Sequence, residues 1–351
     1  LRAQETRILI PLITSSMTEK KSFMNKRISV IIPNYNGSST IGRCLEAAFS
    51  SEYDNFEVIV TDDCSTDNSA EIIKKFPCKF IFLDKHSGAS RARNTGAKNS
   101  GGEILFFIDA DCLLQKNTLA SVNKAFLISE NAIIGGTYTA IPYDKDFFST
   151  FQSIFINYSE TKKETPDYIP THAMVIARDI FMKSGGFKEN FLPILEDVEF
   201  SHRLRKTGYK LTMNSEILVR HIFDFTLIKS LKNAFRKSLY WTVYSLKNRD
   251  LLADSGTASI ELKFNVASFF FSLLLLLLFF LTWDGISIIL IFVLQAINIR
   301  IVNRKLVKAF LDAKGLLFAF GSCLYYAILF PLPVGAGAFS GILKYIRNNK
   351  R

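Results

Sequence analysis

From residue 28 onward, short apolar runs alternate with segments in which apolar positions recur every three or four residues. The runs at 28–32, 56–61, 79–83 and 104–108 read as strands, the first closed by Pro33 and the turn formers Asn34, Asn36 and Gly37. Between them the spacing predicts helices from Ser38 or Ser39 to Ser50, and over 67–76 and 88–99. Strands this apolar, spaced by helices, imply a mostly parallel sheet covered on both faces, a doubly wound α/β arrangement. Further strands are expected near 132–139, 173–177 and 209–213, with helices ending at Gly185-Gly186 and spanning 196–206. Together they bound one domain over 26–224.

Beyond residue 225 the pattern changes. Ile228, Leu231, Phe235, Leu239, Val243 and Leu246 form a helical apolar stripe, with Lys229, Lys232, Arg236 and Lys237 off it. Such a basic amphipathic stretch, taken here as 225–263, suits a membrane interface. The run 265–283 is almost all Phe and Leu and carries no charge; as a helix it is about 28 Å long, enough for a bilayer core. Transmembrane segments are expected over 264–283, 285–300 and 315–343, the last broken at Pro331 and Pro333, with a basic tail over 344–351. Residues 1–25 read as a poorly ordered lead-in, with Met17 and Met24 as alternative starts.

Composition sharpens this division. With 48% hydrophobic and 21% charged residues, the chain is too apolar for a disordered protein. Its formal net charge of +11 is confined to one end. Residues 1–224 carry 27 basic and 27 acidic side chains, and 225–351 carry 16 and 5. A basic excess that accompanies the most apolar stretch argues for a membrane surface and against nucleic acid. The five cysteines show neither metal-ligand spacing nor an even count, and read as reduced thiols.

In open α/β sheets, ligands bind beyond the carboxyl ends of the strands. Asp62 and Asp63 follow one strand, where carboxylates can accept from a base N–H or a ribose hydroxyl. Asp109 and Asp111 follow another, spaced to share a divalent cation on a diphosphate. Glu196 and Asp197 open a helix; a carboxylate there can take a proton from an attacking hydroxyl. Arg91 and Arg93, in GASRARNTGA, can neutralise phosphate or pair with these aspartates.

The segments ISVIIPNYNGSSTIGRCLEA, VIVTDDCSTDNS, GASRARNTGA, ILFFIDADC, KSGGF and EDVEFSHRLRKTGYK, in this order, resemble glycosyltransferase family 2, membrane-anchored bacterial-type members included. The resemblance covers about 27–224. It implies a GT-A fold, followed here by an all-α membrane region, and inverting transfer of a sugar from a nucleotide-diphosphate donor, a UDP-sugar first. By position, Pro33, Tyr35, Asp62 and Asp63 would hold the nucleoside, with Arg91 and Arg93 lining the donor site. Asp109 and Asp111 would hold Mg²⁺ or Mn²⁺ with the diphosphate, and His221 would be a further metal contact. Asp197, beside Glu196, would be the general base. Cys64 stands where the family usually has glycine, and the Gln-x-x-Arg-Trp motif of processive synthases is absent.

With the membrane part, this implies a lipid-linked or membrane-surface acceptor, envelope glycan or glycolipid synthesis, and a multi-pass inner-membrane protein with a cytosolic catalytic domain. The last apolar stretch is expected either to span or to form a re-entrant hairpin at Pro331/Pro333. A sugar-phosphate nucleotidyltransferase would need a Gly-rich basic loop after the first strand, where this chain has Pro33-Asn34-Tyr35-Asn36. A catalytically inactive scaffold should lack one of Asp63, Asp111 or Asp197, and all are present.

Overall fold

A computed structural model describes residues 25–349, so the lead-in, with Met17 and Met24, lies outside the described residues except for Asn25. One eight-stranded sheet runs in the order β3-β2-β1-β4-β7-β6-β8-β5. Its first half comprises β1 (Ile28–Asn34), β2 (Phe56–Asp62), β3 (Lys79–Phe82) and β4 (Ile104–Phe107), all parallel. Helices α1 (Ile41–Phe49), α2 (Ser69–Ile73) and α3 (Ala89–Lys98) connect them. Ile31, Ile59 and Phe106 are fully buried, as strands covered on both faces require. α3 lies close on β1 and β2 because of Gly96, where an added Cβ would sit 2.7 Å from Ile31 Cγ2.

Pro33 does not end the first strand, contrary to expectation. β1 continues to Asn34, with Pro33 opposite Thr61 and Asn34 opposite Asp62. The pairing with β4 ends at Ile31, so by Pro33 the strand is paired on one side only, where a missing N–H is tolerated.

The second half is mixed rather than parallel. β7 (Met174–Ala177) runs antiparallel to β4 and to β6 (Ala132–Tyr138). β8 (Lys210–His221) is parallel to β6, and β5 (Cys112–Leu114) antiparallel to β8. β8 continues well past 213 and brings His221 opposite Cys112. Helices α4 (Thr118–Ile128), α5 (Phe147–Thr161), α6 (Arg178–Lys183) and α7 (Glu196–Lys206) complete the domain.

After β8, α8 (Leu227–Asn248) carries the basic stripe. α9 (Ile260–Thr282) and α10 (Gly285–Ile297) then form a helical hairpin turning at Trp283-Asp284, with Leu274, Leu281, Ile289 and Phe292 exposed. Buried amides fix its base: Asn298 donates to Asn265 Oδ1 at 2.7 Å, Asn303 to Asn298 Oδ1 at 2.8 Å, and Asn265 to the Tyr326 carbonyl at 2.7 Å.

The last apolar stretch belongs to a helical run over 304–348 that is long and apolar enough to cross a membrane, but its break lies elsewhere than at the prolines. α11 (Arg304–Leu324) breaks at Gly315 (φ 80°), a conformation that glycine adopts at little cost. The chain then passes through a wide turn, Tyr325–Leu329, into α12 (Pro331–Asn349) without reversing. Pro331 and Pro333 sit in a first helical turn, where their missing donors cost no intrahelical bond. This stretch packs on the sheet domain: Phe310 stacks on Phe151 at 5.3 Å, and Tyr325 meets Phe151 edge-on at 4.8 Å. α12 lies against α8 through Gly337 and Gly341, where a Cβ would collide with the Phe235 and Leu239 carbonyls. Of its most apolar window 33% is buried, against 17% and 11% for the two hairpin segments. The tail over 344–349 is part of α12.

Candidate active site

The carboxyl ends of β1, β2 and β4 face the start of α7, and most of the sequence-selected residues converge there. Arg93, 4% exposed, bridges two of them. Its Nη2 donates to Asp109 Oδ1 and its Nη1 to Glu196 Oε1, both at 2.6 Å. A guanidinium is suited to such a fork, and a buried one requires it. Burial pushes the Asp109 carboxyl up, but Arg93 and His172 outweigh it and hold the group below its ordinary value. Glu196, expected beside the base, is thus committed to orienting Arg93.

Asp197 is placed differently. Leu195, just before α7, adopts the left-handed conformation (φ 76°), which costs a non-glycine residue roughly 1–2 kcal/mol. Its side chain is buried with Tyr168, Val198 and Trp241, so packing holds the strained turn. That turn opens the helix, and Asp197 is held by backbone N–H groups rather than by Arg93. Asp197 Oδ1 accepts from the Val198 N–H at 2.8 Å, and Oδ2 from the Thr171 N–H at 3.4 Å. Burial, then the neighbouring Glu196 charge, pushes its carboxyl up to about 7, against the opposing pull of Arg93. A carboxylate poised near neutrality is what a general base needs.

Asp111 meets His221 across β5 and β8, Oδ1 to Nε2 at 3.3 Å. The His221 ring is fixed by stacking on Phe223 at 3.9 Å and by the edge of Tyr138. Burial raises the Asp111 carboxyl and lowers the His221 imidazole, so neither favours its charged form here. Asp111, Cys112 and His221 can together approach one ion, their ligand atoms lying within 4.8 Å of one another. Burial, then Asp111 and Asp109, pushes the Cys112 thiol well above its ordinary value, so it stays protonated. That leaves a carboxylate oxygen and an imidazole nitrogen, a mixed donor set that fits a divalent transition ion such as Mn²⁺ better than Mg²⁺, which prefers oxygen alone. Asp109, expected as half of the metal pair, is turned to Arg93 instead, because the charged fork satisfies it directly.

The nucleoside set divides in the same way. Asp62 is fully buried and spent on the loop, accepting from Asn34 Nδ2 at 2.6 Å and from Ser65 N and Oγ at 2.8 and 2.7 Å. It therefore braces the loop. Asp63 accepts from the Ser87 and Gly88 N–H groups at 2.8 and 2.7 Å and meets His86 Nδ1 at 2.9 Å. His86, which the sequence did not single out, stacks on the half-exposed Tyr35 at 4.0 Å. Pro33 sits one residue before Asn34 in β1, level with Thr61. Arg91 does not join the cluster; it points to the surface and meets Glu189 at 3.4 Å.

Two further residues escaped the sequence reading. His172 stacks on Tyr138 at 3.9 Å, and its Nε2 lies 3.3 Å from Glu160 on α5. Thr137 donates to the same Glu160 oxygen at 2.6 Å. No motif marks these positions, because their partners come from elements far apart in the chain.

Comparison with known proteins agrees with this geometry. Residues 29–185 match the sequence model for glycosyl transferase family 2. The glycosyltransferase AglE of Haloferax volcanii is 29% identical over 205 residues, 55% of this chain and 66% of that protein. GlyG of Streptococcus pneumoniae is 29% identical over 131 residues, 36% of this chain and 44% of that protein. The matched region thus spans less than two thirds of either relative's length. A mannosyltransferase from Pyrobaculum calidifontis, solved with GDP-Man and Mn²⁺, shares the fold with a TM-score of 0.56 at 16% identity, over 92% of this chain and 88% of that one. Residues 29–185 thus match glycosyl transferase family 2, and their motifs gather at the carboxyl edge of a sheet with the GT-A fold.

Proposed function

We propose that the protein is an inverting, divalent-metal-dependent glycosyltransferase. It moves a sugar from a nucleotide-diphosphate donor to a hydroxyl or phosphate of an acceptor at a membrane surface. The observation that carries this reading is Asp197, a carboxylate near neutrality beside the Arg93-bridged Asp109 and Glu196. Asp197 removes the proton from the acceptor oxygen, which attacks C1 of the sugar on the face opposite the departing diphosphate. Arg93 keeps Asp109 ionised and holds both it and Glu196 in place, so the base is not displaced as charge moves. Asp111 and His221 would hold the cation, which when bound offsets the charge on the departing diphosphate. The Pyrobaculum mannosyltransferase, with its GDP-Man and Mn²⁺, supports a nucleotide sugar and a divalent ion, and leaves UDP-sugars as an equal option. The exposed face of Tyr35, stacked on His86, suits the base, while Asp63 retains lone pairs for a ribose hydroxyl or base N–H.

The hairpin α9–α10 supports a membrane location, its exposed Phe and Leu side chains lacking any other cover among the described residues. Because nucleotide sugars are cytosolic, the catalytic domain lies on that side and the hairpin crosses and returns. α8, α11 and α12 then lie along the interface, apolar faces such as Leu317, Phe320 and Phe339 toward lipid. This keeps Lys344 and Arg347 beside the catalytic domain, as the positive-inside rule favours. Isothermal titration of Mn²⁺ with a nucleoside diphosphate tests the donor site. Asp111→Asn should weaken Mn²⁺-dependent binding at least tenfold; undiminished binding would remove Asp111 from the metal site.

A further inference from the structure

The nucleoside end of the site already holds a ring of the protein's own. His86 lies in the loop between β3 and α3 and stacks on Tyr35, the centroids 4.0 Å apart and the planes 29° from parallel. Its Nδ1 stands 2.9 Å from Asp63 Oδ2 and 3.4 Å from the Asp63 carbonyl oxygen. An ionised carboxylate and a carbonyl only accept, so Nδ1 carries the proton and donates. A flat ring on Tyr35 with a ring N–H on Asp63 makes the same pair of contacts that a nucleobase would make here.

Exposure shows which of these groups can give way. The Asp63 side chain is 3% exposed and that of His86 is 56% exposed. Two of the groups on the carboxylate, the Ser87 and Gly88 N–H, belong to the backbone that leads into α3. Among the described residues, the side chain that covers the carboxylate is His86, and it can turn away about its own torsions without breaking a backbone hydrogen bond. A base laid on the other face of Tyr35 would lie two ring thicknesses from the His86 plane and would miss Asp63. The side that joins the stack to the carboxylate is the side His86 fills.

We infer that His86 is a built-in stand-in for the nucleobase: the donor's base displaces its ring from Tyr35 and Asp63 and takes over both contacts. The inference rests on the glycosyltransferase reading and adds to it a residue that sets which bases enter. The incoming base must supply a ring N–H where His86 supplies Nδ1–H. Uracil and thymine carry one at N3 and guanine at N1. Cytosine N3 and adenine N1 are bare acceptors, which would turn a lone pair on the carboxylate and leave it unsatisfied. Uridine, thymidine and guanosine donors therefore fit, and cytidine and adenosine donors do not.

The full chain in phosphatidylcholine nanodiscs with Mn²⁺, as wild type and as His86→Ala, is titrated calorimetrically with UDP, GDP, CDP, ADP and inorganic pyrophosphate. The variant should bind the tighter of UDP and GDP about three- to tenfold more tightly than the wild type does, the scale of a stack and a hydrogen bond that no longer compete. Pyrophosphate, which has no base, should bind the two proteins equally, and this also shows that the variant is folded. In the wild type, CDP and ADP should each bind at least tenfold more weakly than the tighter of UDP and GDP. Unchanged or weaker binding of UDP and GDP by His86→Ala overturns the inference. So does an equal gain for pyrophosphate, or CDP or ADP bound as tightly as UDP and GDP. Each of these results leaves the glycosyltransferase reading intact, because a nucleotide is bound. No binding of any nucleotide by either protein overturns both.

Discussion

Asp197→Asn should cost activity and return stability, and the size of that return follows from the site. Burial and the Glu196 charge lift the Asp197 carboxyl from 3.8 to about 7. Because its folded pKa lies above the unfolded one, the group contributes stability at low pH that is lost as pH rises through 7. Three pKa steps correspond to about 4 kcal/mol, of which about 3 kcal/mol is lost between pH 5 and pH 8. Asparagine keeps the shape and never ionises. It can still accept from Val198 and forfeits the longer contact from Thr171, a loss of about 0.5–1 kcal/mol at any pH. In metal-free, nucleotide-free detergent solution, the two proteins should therefore melt within a few degrees of each other at pH 5. At pH 8 the variant should melt roughly 5–10 °C higher. Transfer by the wild type should rise about tenfold per pH unit below 7 and level off above it, while the variant stays inactive throughout. Parallel melting curves for the two proteins from pH 5 to pH 8 would refute the raised pKa, and with it the physical basis for the base.

Arg93→Met should destabilise the protein by about 3–5 kcal/mol, since it strands two carboxylates, and thermal melting would show it. Arg93→Lys should recover only part of this, a single ammonium being unable to reproduce the fork between Asp109 and Glu196. Cys64 adopts φ 63°, so Cys64→Gly should raise stability by about 1 kcal/mol with transfer unchanged; a loss would show that the thiol packing matters more than the strain. Gly337→Leu should separate α8 from α12, read as faster proteolysis between them with the isolated nucleotide affinity retained.

The first half of the sheet was legible because β1, β2 and β4 are mostly apolar runs, broken only by Ser29 and Glu57 near their starts, with turn formers after β1. The acidic pairs were legible by their place just after those strands. The helix α5 was not: Ser149 through Ile156 are buried all round its axis, so no amphipathic period marks it. Nor was the mixed second half, since a four-residue run such as β7 carries no signal for its direction. The partners within the site were equally hidden. GASRARNTGA announces two arginines, yet only the fold shows that Arg93 turns inward to bridge Asp109 and Glu196 while Arg91 points out to Glu189. At the other end, the prolines at 331 and 333 suggested a break, but the chain bends at Gly315, just after Lys314, where a glycine at the edge of the apolar run could have signalled a helix end.

The central claim is sugar transfer driven by Asp197, and it is tested most directly by nucleoside diphosphate release from the full-length protein in lipid. With Mn²⁺ and a panel of nucleotide sugars, at least one donor should be turned over, with the sugar recovered on acceptor in the inverted configuration. Asp197→Asn should lower that rate at least a hundredfold while binding the nucleotide as before. Release that persists undiminished in Asp197→Asn, or a product of retained configuration, would contradict the account.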